Sequence, residues 1–244
     1  MDVPHGIDID YDVLRGLLAP GPASGTSPGA GPLPADRTVA SDLAATVLRA
    51  VADGRWSLSA IRHPLGFLCL PVLRDGDKGV CVHLFDAGNG GEGEGDEGRP
   101  PLVHAHSWSL ISLVLFGRLT NHSVRLVDDP VAPTHRVYEV LSRLDGTDEV
   151  RRTARLVRGV PDGFGRNATG DVYVVGPGDF HATVVTGGRP AATLVLGEAL
   201  PGSKDMSLGL LSGEEHSSVR EICGREETVV AVRAALRRID EADY

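Results

Sequence analysis

The chain has 244 residues, of which 41% are hydrophobic and 23% are charged, and its formal net charge is −9 at pH 7. The apolar share is sufficient for a core, which excludes a wholly disordered chain, and the acidic balance argues against nucleic acid and anionic membrane surfaces as partners. No apolar run approaches the roughly 18 residues of a membrane helix. Because the acidic N-terminus also lacks the layout of a signal peptide, we expect a cytoplasmic protein.

Two segments have the composition of linkers. Residues 20–34 contain five Pro and four Gly, and residues 86–99 contain six Gly and five acidic residues. Between them, residues 36–54 carry apolar side chains at helical spacing, which are Val39, Leu43, Val47, Leu48 and Val51. The sequence predicts a helix here that stops at Gly54. A second helix is predicted in residues 225–244, where acidic residues come early and arginines late.

The region between these two helices has the pattern of a β domain. About eight segments within residues 56–197 are short, rich in β-branched residues and bounded by Gly, Pro or Asp. So many strands with few helices between them favour a sandwich or closed barrel over a βαβ sheet. We therefore predict an all-β fold with flanking N- and C-terminal helices. The predicted parts are an N-terminal arm, linker and helix (1–55), a barrel (56–200) and a C-terminal extension with a helix (201–244).

Three of the nine histidines occupy positions that favour metal binding. His104 and His106 are two residues apart on a predicted strand, so their side chains leave the same face. His181 follows a glycine-rich turn before another predicted strand. Three converging imidazoles suit a divalent first-row metal, so we predict a metal site at these residues. The alternative is a barrel in which they are ordinary strand histidines.

The spacing around these histidines resembles the two signatures of the cupin superfamily. The first signature comprises Gly98, His104, His106, position 110 and Gly117, and the second comprises Gly170, Gly176-Pro177-Gly178 and His181. The resemblance covers roughly residues 56–200 and implies a double-stranded β-helix, the jelly-roll barrel of cupins. The chain departs from the pattern at Leu110, where the family has a glutamate, and at Val185, where it has an asparagine.

The missing glutamate determines which cupins the predicted site resembles. Three neutral imidazoles leave about three open positions on an octahedral metal and no protein charge to balance its +2. Among cupins this is similar to the three-histidine iron dioxygenases, in particular the thiol dioxygenases, and the stretch from His104 to Trp108 is similar to one in some bacterial members. The resemblance implies Fe(II), O₂ and a small metal-chelating substrate, such as a thiol, an amino acid or a related acid.

Further candidates lie on the same strand as the first two histidines. If His104 and His106 point inward, then Trp108, Leu110 and Ser112 also point inward. These three residues are predicted to line a substrate pocket, with ordinary core packing as the alternative.

Two residues elsewhere are candidates for a catalytic role. Tyr173 could donate a hydrogen bond to bound oxygen or substrate, with simple packing as the alternative. Arg118 could bind a substrate carboxylate through both guanidinium nitrogens, with a solvated loop position as the alternative. The sequence leaves open whether residues 144–169, which are rich in Arg, Asp and Gly, are a lid over the barrel mouth.

The cysteines carry a separate prediction. With three cysteines and no CxxC pair, the sequence predicts neither a disulfide framework nor a cysteine-based zinc site. Cys69 and Cys81 fall on predicted strands and are expected to be small buried hydrophobic residues, whereas Cys223 follows a polar loop and is expected to be the most exposed.

Together these features predict a mononuclear non-haem Fe(II) oxygenase or dioxygenase. One alternative is a cupin-fold isomerase, lyase or hydrolase that uses Zn, Ni or Mn at the same ligands. The other is a barrel that binds or senses a small molecule without turnover. The terminal elements could support a homodimer.

Overall fold

The computed structural model describes residues 7–19, 35–87, 102–143 and 145–242, so the predicted linkers lie largely outside the described residues. Its helices are α1 (Tyr11–Leu18), α2 (Ala35–Ala52) and α3 (Arg225–Ala242). Its strands are β1 (Ile61–Arg62), β2 (Leu68–Asp75), β3 (Lys78–Phe85), β4 (His104–Ala105), β5 (Trp108–Phe116), β6 (Arg118–Asp128), β7 (His135–Ser142), β8 (Thr147–Ala168), β9 (Val172–Val175), β10 (His181–Val185), β11 (Ala191–Ala199), β12 (Asp205–Gly209) and β13 (His216–Val219). The prediction of a mostly β fold with helices towards both termini is confirmed.

The strands form two antiparallel sheets. Sheet A has the order β1-β2-β3-β11-β5-β9, and sheet B has the order β13-β8-β6-β10-β4-β12-β7. Strand β7 also pairs with β8. Six strands of sheet B, namely β8, β6, β10, β4, β12 and β7, therefore form a closed ring.

The helices cover one face of sheet A. Successive side chains of a strand alternate between the two faces of the sheet, and one set on β2, β3, β5 and β11 packs against all three helices. Buried members of this cluster include Leu48 of α2, Val232 of α3, Leu70 and Val82. Sheet A is thereby buried on both faces, since its other face packs against sheet B.

The space between the sheets is lined by the alternate set of side chains. At one end, Phe85, Val114 and Ala191 of sheet A meet Leu119 and Val185 of sheet B. The chain turns between β5 and β6 at Gly117, whose φ is +85°. A Cβ here would lie 2.6 Å from the carbonyl oxygen of Pro190, so this crossing requires glycine.

The closed ring encloses a core of its own. Ala105, Val137, Val157, Phe180 and Leu208 are buried together inside it. Gly159 of β8 provides room for this core, since a Cβ there would lie 3.2 Å from Leu208 and 3.4 Å from Val124 on two other strands of the ring. The ring and the inter-sheet space thus share the wall formed by β6, β10 and β4.

Most of the region for which the sequence left a lid open is a strand. Residues 147–168 form β8, whose first part pairs with β7 and β13 and whose last part pairs with β6. A strand bonded along its length to its neighbours is a fixed part of the ring. The question that the sequence left open for residues 144–169 is thus answered for 147–168, which are part of the ring.

The two predicted helices are confirmed, with one residue misplaced. Val39 of α2 is 53% exposed, so the apolar stripe begins at the next turn. A short helix, α1, was missed because its apolar stripe is only two turns long, although Asp10 caps it by accepting the Asp12 and Val13 amide hydrogens. No described helix is long and apolar enough to cross a bilayer.

Candidate metal centre

The three predicted ligands come together at one end of the inter-sheet space. His104 begins β4 and His181 begins β10, and the two residues are direct partners across the antiparallel ladder. His106 directly follows β4, and its carbonyl oxygen accepts a hydrogen bond from the amide of Gly178. This bond ties the turn before His181 to the strand that carries the other two histidines.

The distances are those of a ligand group. The Nε2 atoms of His104 and His106 are 3.2 Å apart, and one ligand nitrogen from each of the three rings lies within 4.8 Å of the others. Ligand bonds of about 2.1 Å place two nitrogens about 3.0 Å apart at right angles and about 3.4 Å apart at the tetrahedral angle. The three residues therefore fit a metal ion, and no described Asp or Glu belongs to the group.

Two of the imidazoles are oriented by backbone carbonyls. The Nδ1–H of His104 donates to the carbonyl oxygen of Leu102, and that of His181 donates to Asp179, each at 3.1 Å. A proton fixed on Nδ1 leaves the Nε2 lone pair free for a metal, which is the usual arrangement around metal-ligating histidine.

Burial keeps these rings neutral. Burial and the nearby His181 lower the pKa of His104 from 6.5 to about 4. Burial, reinforced by His104, lowers the pKa of His106 well below its usual range, and burial also lowers the pKa of His181. Since a metal binds the neutral imidazole, the ligands are already in the required state at pH 7.

The predicted pocket residues do point into the inter-sheet space. Leu110 and Ser112 pair with Gly197 and Val195 of β11, on the same face of sheet A, and Ser112 is buried. Trp108 and Leu110 both pack over Gly197, where a Cβ would lie 3.2 Å from either side chain. An apolar side chain thus occupies the position at which the cupin signature has its glutamate.

Tyr173 belongs to a polar network that the sequence did not reveal. Its hydroxyl hydrogen-bonds with Ser112 and Asn121, and burial raises its pKa. Asn121 in turn accepts a hydrogen bond from the Thr183 hydroxyl at 2.7 Å. Thr183 is two residues from His181 on β10 and shares its face. The sequence signal for this network was limited to two polar residues, Ser112 on β5 and Thr183 on β10, at inward positions of otherwise apolar strands.

The structure does not bring Arg118 to the histidines. It is exposed at the far end of β6, five residues before Ser123, the partner of His181. At 3.3–3.4 Å per residue this is about 17 Å along the strand. A different arginine lies near the pocket residues, because the guanidinium of Arg74 sits 5.3 Å from the ring centre of Trp108.

Two further histidines flank the centre. His63 and His83 are close enough to contribute to the low pKa of His106, and both contact the ring of Phe67. The amide of Leu65 donates to Nδ1 of His63 at 3.2 Å, so the proton of this neutral imidazole lies on Nε2. His63 precedes β2, the first long strand of sheet A, and nothing in its sequence context fixes the direction of its side chain.

Comparison with known proteins adds no assignment. No protein family matches the chain, and no curated protein is detectably similar to it in sequence.

Proposed function

We propose that this chain is a mononuclear metal-dependent oxygenase with a cupin-type jelly roll, in which His104, His106 and His181 hold Fe(II). One observation carries the proposal: three neutral imidazoles, with no described carboxylate among them, converge on one point between two antiparallel sheets. Three glycines of the cupin-like signatures, Gly117, Gly170 and Gly178, also adopt the left-handed conformation, with φ of +85°, +83° and +81°.

The donor set favours a particular class of substrate. When bound, Fe(II) supplies adjacent open positions for a substrate and O₂ and accepts and passes on electrons between them. Three neutral ligands leave the charge of the ion unbalanced by protein, which favours an anionic, chelating substrate such as a thiol, an amino acid or a related acid. The guanidinium of Arg74, stacked on Trp108, is a second positive charge suited to the same substrate class.

The chain's own residues orient the reactants and exclude water. Leu110 and Trp108 supply an apolar wall over Gly197, which strengthens electrostatic interactions next to it. Tyr173 stays protonated because burial raises its pKa, so its hydroxyl can donate a hydrogen bond to a bound reactant. Ser112 and Asn121 hold this hydroxyl in place.

The decisive experiment is metal analysis of untagged protein after anaerobic reconstitution with iron. We expect about one iron per chain in the parent, and its loss in His104→Ala and His181→Ala. His122→Ala is the matched control, since this exposed histidine lies on β6 with its side chain on the opposite face from Ser123, the partner of His181. Iron retained in both ligand variants would overturn the site assignment.

Oxygen uptake separates the candidate functions. Thiols, amino acids and phenolic acids are screened in an oxygen electrode. We expect one of them to stimulate O₂ consumption by the parent protein, and we expect the rate of that consumption to be lower in Tyr173→Phe. Stoichiometric zinc, nickel or manganese without oxygen uptake would support an isomerase, lyase or hydrolase, for which three imidazoles and a water are also a familiar ligand set. A chain that binds no metal would be a small-molecule binding barrel.

A further inference from the structure

A second group of metal-ligating side chains lies on the inner face of sheet A. Cys69 of β2 and Cys81 and His83 of β3 each offer one ligand atom, and these atoms lie within 4.8 Å of one another. Cys81 is buried, and the other two are partly buried. The spacing along the chain does not predict such a group, because the β2–β3 register brings it together.

The register places the three residues around one patch of the ladder. Cys69 is the direct partner of His83, and Cys81 is the direct partner of Pro71. Since Cys81 and His83 are two residues apart on one strand, their side chains leave the same face, and Cys69 leaves that face opposite His83. Cys69 and Cys81 are therefore diagonal neighbours.

This diagonal relation favours a bridging ion over a disulfide. Diagonal neighbours in an antiparallel ladder are about 7–8 Å apart at Cα, which is beyond the roughly 4.4–6.8 Å between the Cα atoms of a disulfide. Sulfur ligands at about 2.3 Å and nitrogen at about 2.1 Å from zinc are about 3.5–3.8 Å from one another at the tetrahedral angle. Small side-chain rotations bring the observed group to that geometry.

The surroundings suit a charged thiolate site. The Arg74 guanidinium donates to Cys81 Sγ at 3.8 Å. The hydrogen bond between the two thiols lowers the pKa of Cys81 and raises the pKa of Cys69, so Cys81 is the first of the pair to ionise. Next to His83 across the β3–β11 ladder is Thr193, whose fully buried hydroxyl has no hydrogen-bond partner among the described residues. An orphaned hydroxyl on this face could serve a water or ligand in the remaining coordination position.

We propose that Cys69, Cys81 and His83 bind a second metal ion, Zn²⁺, in addition to the ion held by the three-histidine centre. Two thiolates balance the charge of the ion, their protons are released to solvent on binding, and one tetrahedral position stays open. The site fastens the β2–β3 hairpin beside the three-histidine centre. It does not depend on the proposed oxygenase function, because its donor atoms are different.

The test uses Co²⁺ as a spectroscopic probe on reduced, full-length protein. Sulfur ligation produces a sulfur-to-cobalt charge-transfer band, which imidazole ligation at the three-histidine centre does not. We expect this band in the parent, in Cys223→Ala and in His104→Ala, and we expect Zn²⁺ to displace it. Cys223→Ala is the critical protein, because Cys69 and Cys81 are then the remaining cysteines of the chain.

The variants of the site itself complete the test. Cys81→Ser and Cys69→Ser should weaken or abolish the band and lose one of two bound metal equivalents, while iron binding at the three-histidine centre persists. The proposal is overturned if Cys223→Ala shows no band in Co²⁺. It is also overturned if non-reducing peptide mapping of protein purified with reductant finds Cys69 and Cys81 joined to each other.

Discussion

Replacing His63 by Phe should change how stability depends on pH. Burial, with smaller contributions from His83 and His104, lowers the pKa of His63 from 6.5 to about 3. The ring stacks on Phe67 with centroids 4.3 Å apart and planes 9° apart, so a phenylalanine fits the same contact. What it cannot replace is the acceptor for the Leu65 amide.

The sign follows from the proton balance. Below about pH 6.5 the unfolded chain binds a proton at His63 and the folded chain does not, so the free energy of unfolding falls as pH falls. The rate is about 1.4 kcal/mol per pH unit for one group, hence about 2 kcal/mol between pH 6.5 and pH 5. The variant lacks this loss but gives up a hydrogen bond worth about 1 kcal/mol at every pH. We therefore expect His63→Phe to be the less stable protein near pH 7 and the more stable one near pH 5.

The assay is urea denaturation of metal-free protein, with a chelator present, between about pH 5 and about pH 7.5. His216→Gln controls for the removal of one histidine at an exposed position on β13. If the parent and His63→Phe give parallel curves over this range, His63 ionises alike in the folded and unfolded chains. The reasoning from burial would then be refuted.

Four further substitutions test backbone strain, a partly buried ion pair and core packing, each by urea denaturation at neutral pH. Gly117→Ala should cost at least about 2 kcal/mol, because it combines a positive φ with a backbone atom 2.6 Å from the new Cβ; Gly76→Ala, at φ +57° in open space, should cost only about 1 kcal/mol. Arg220→Ala should cost about 2 kcal/mol, since it leaves the buried Asp148 carboxylate without its 2.9 Å partner, and the 30% exposure of the arginine side chain moderates the loss. Leu48→Ala, fully buried under sheet A, should cost about 3 kcal/mol. Costs near zero would contradict the packing described.

Local patterns were sufficient to predict most of the strands. β2, β3, β5, β10 and β11 are short runs rich in Val, Leu and Ala and bounded by turn residues, so their type could be predicted without tertiary information. The strand β8 could not be predicted in this way, because half of its residues are exposed and its composition of Arg, Asp and Gly is that of a loop. Its strand structure comes from pairing with β6 and β7, which no local pattern records.

The same distinction between local pattern and strand pairing decides which candidate sites the sequence could predict. His104 and His106 could be placed together because alternation along one strand is a local property, and the turn before His181 matched a known spacing. Cys69 and His83 could not be placed together from the sequence, because only the register of β2 and β3 makes them partners. Cys223 was expected to be the most exposed cysteine but is 2% exposed, because its amide donates to the carbonyl oxygen of Ala60 and its side chain lies in the core cluster that includes residues of α2 and α3.

The wall shared by the ring and the inter-sheet space links core packing inside the ring to the positions of the histidines at the candidate metal centre. Ala105 and Phe180 fill the ring core, and each is the chain neighbour of a proposed metal ligand, His104 or His181. A bulkier or smaller residue at 105 or 180 would shift the strand that carries the ligand, although its side chain never faces the metal. Under the proposed function, substitutions inside the small ring would therefore change the affinity and geometry of the metal centre, and selection on that function would constrain residues whose side chains only fill a core.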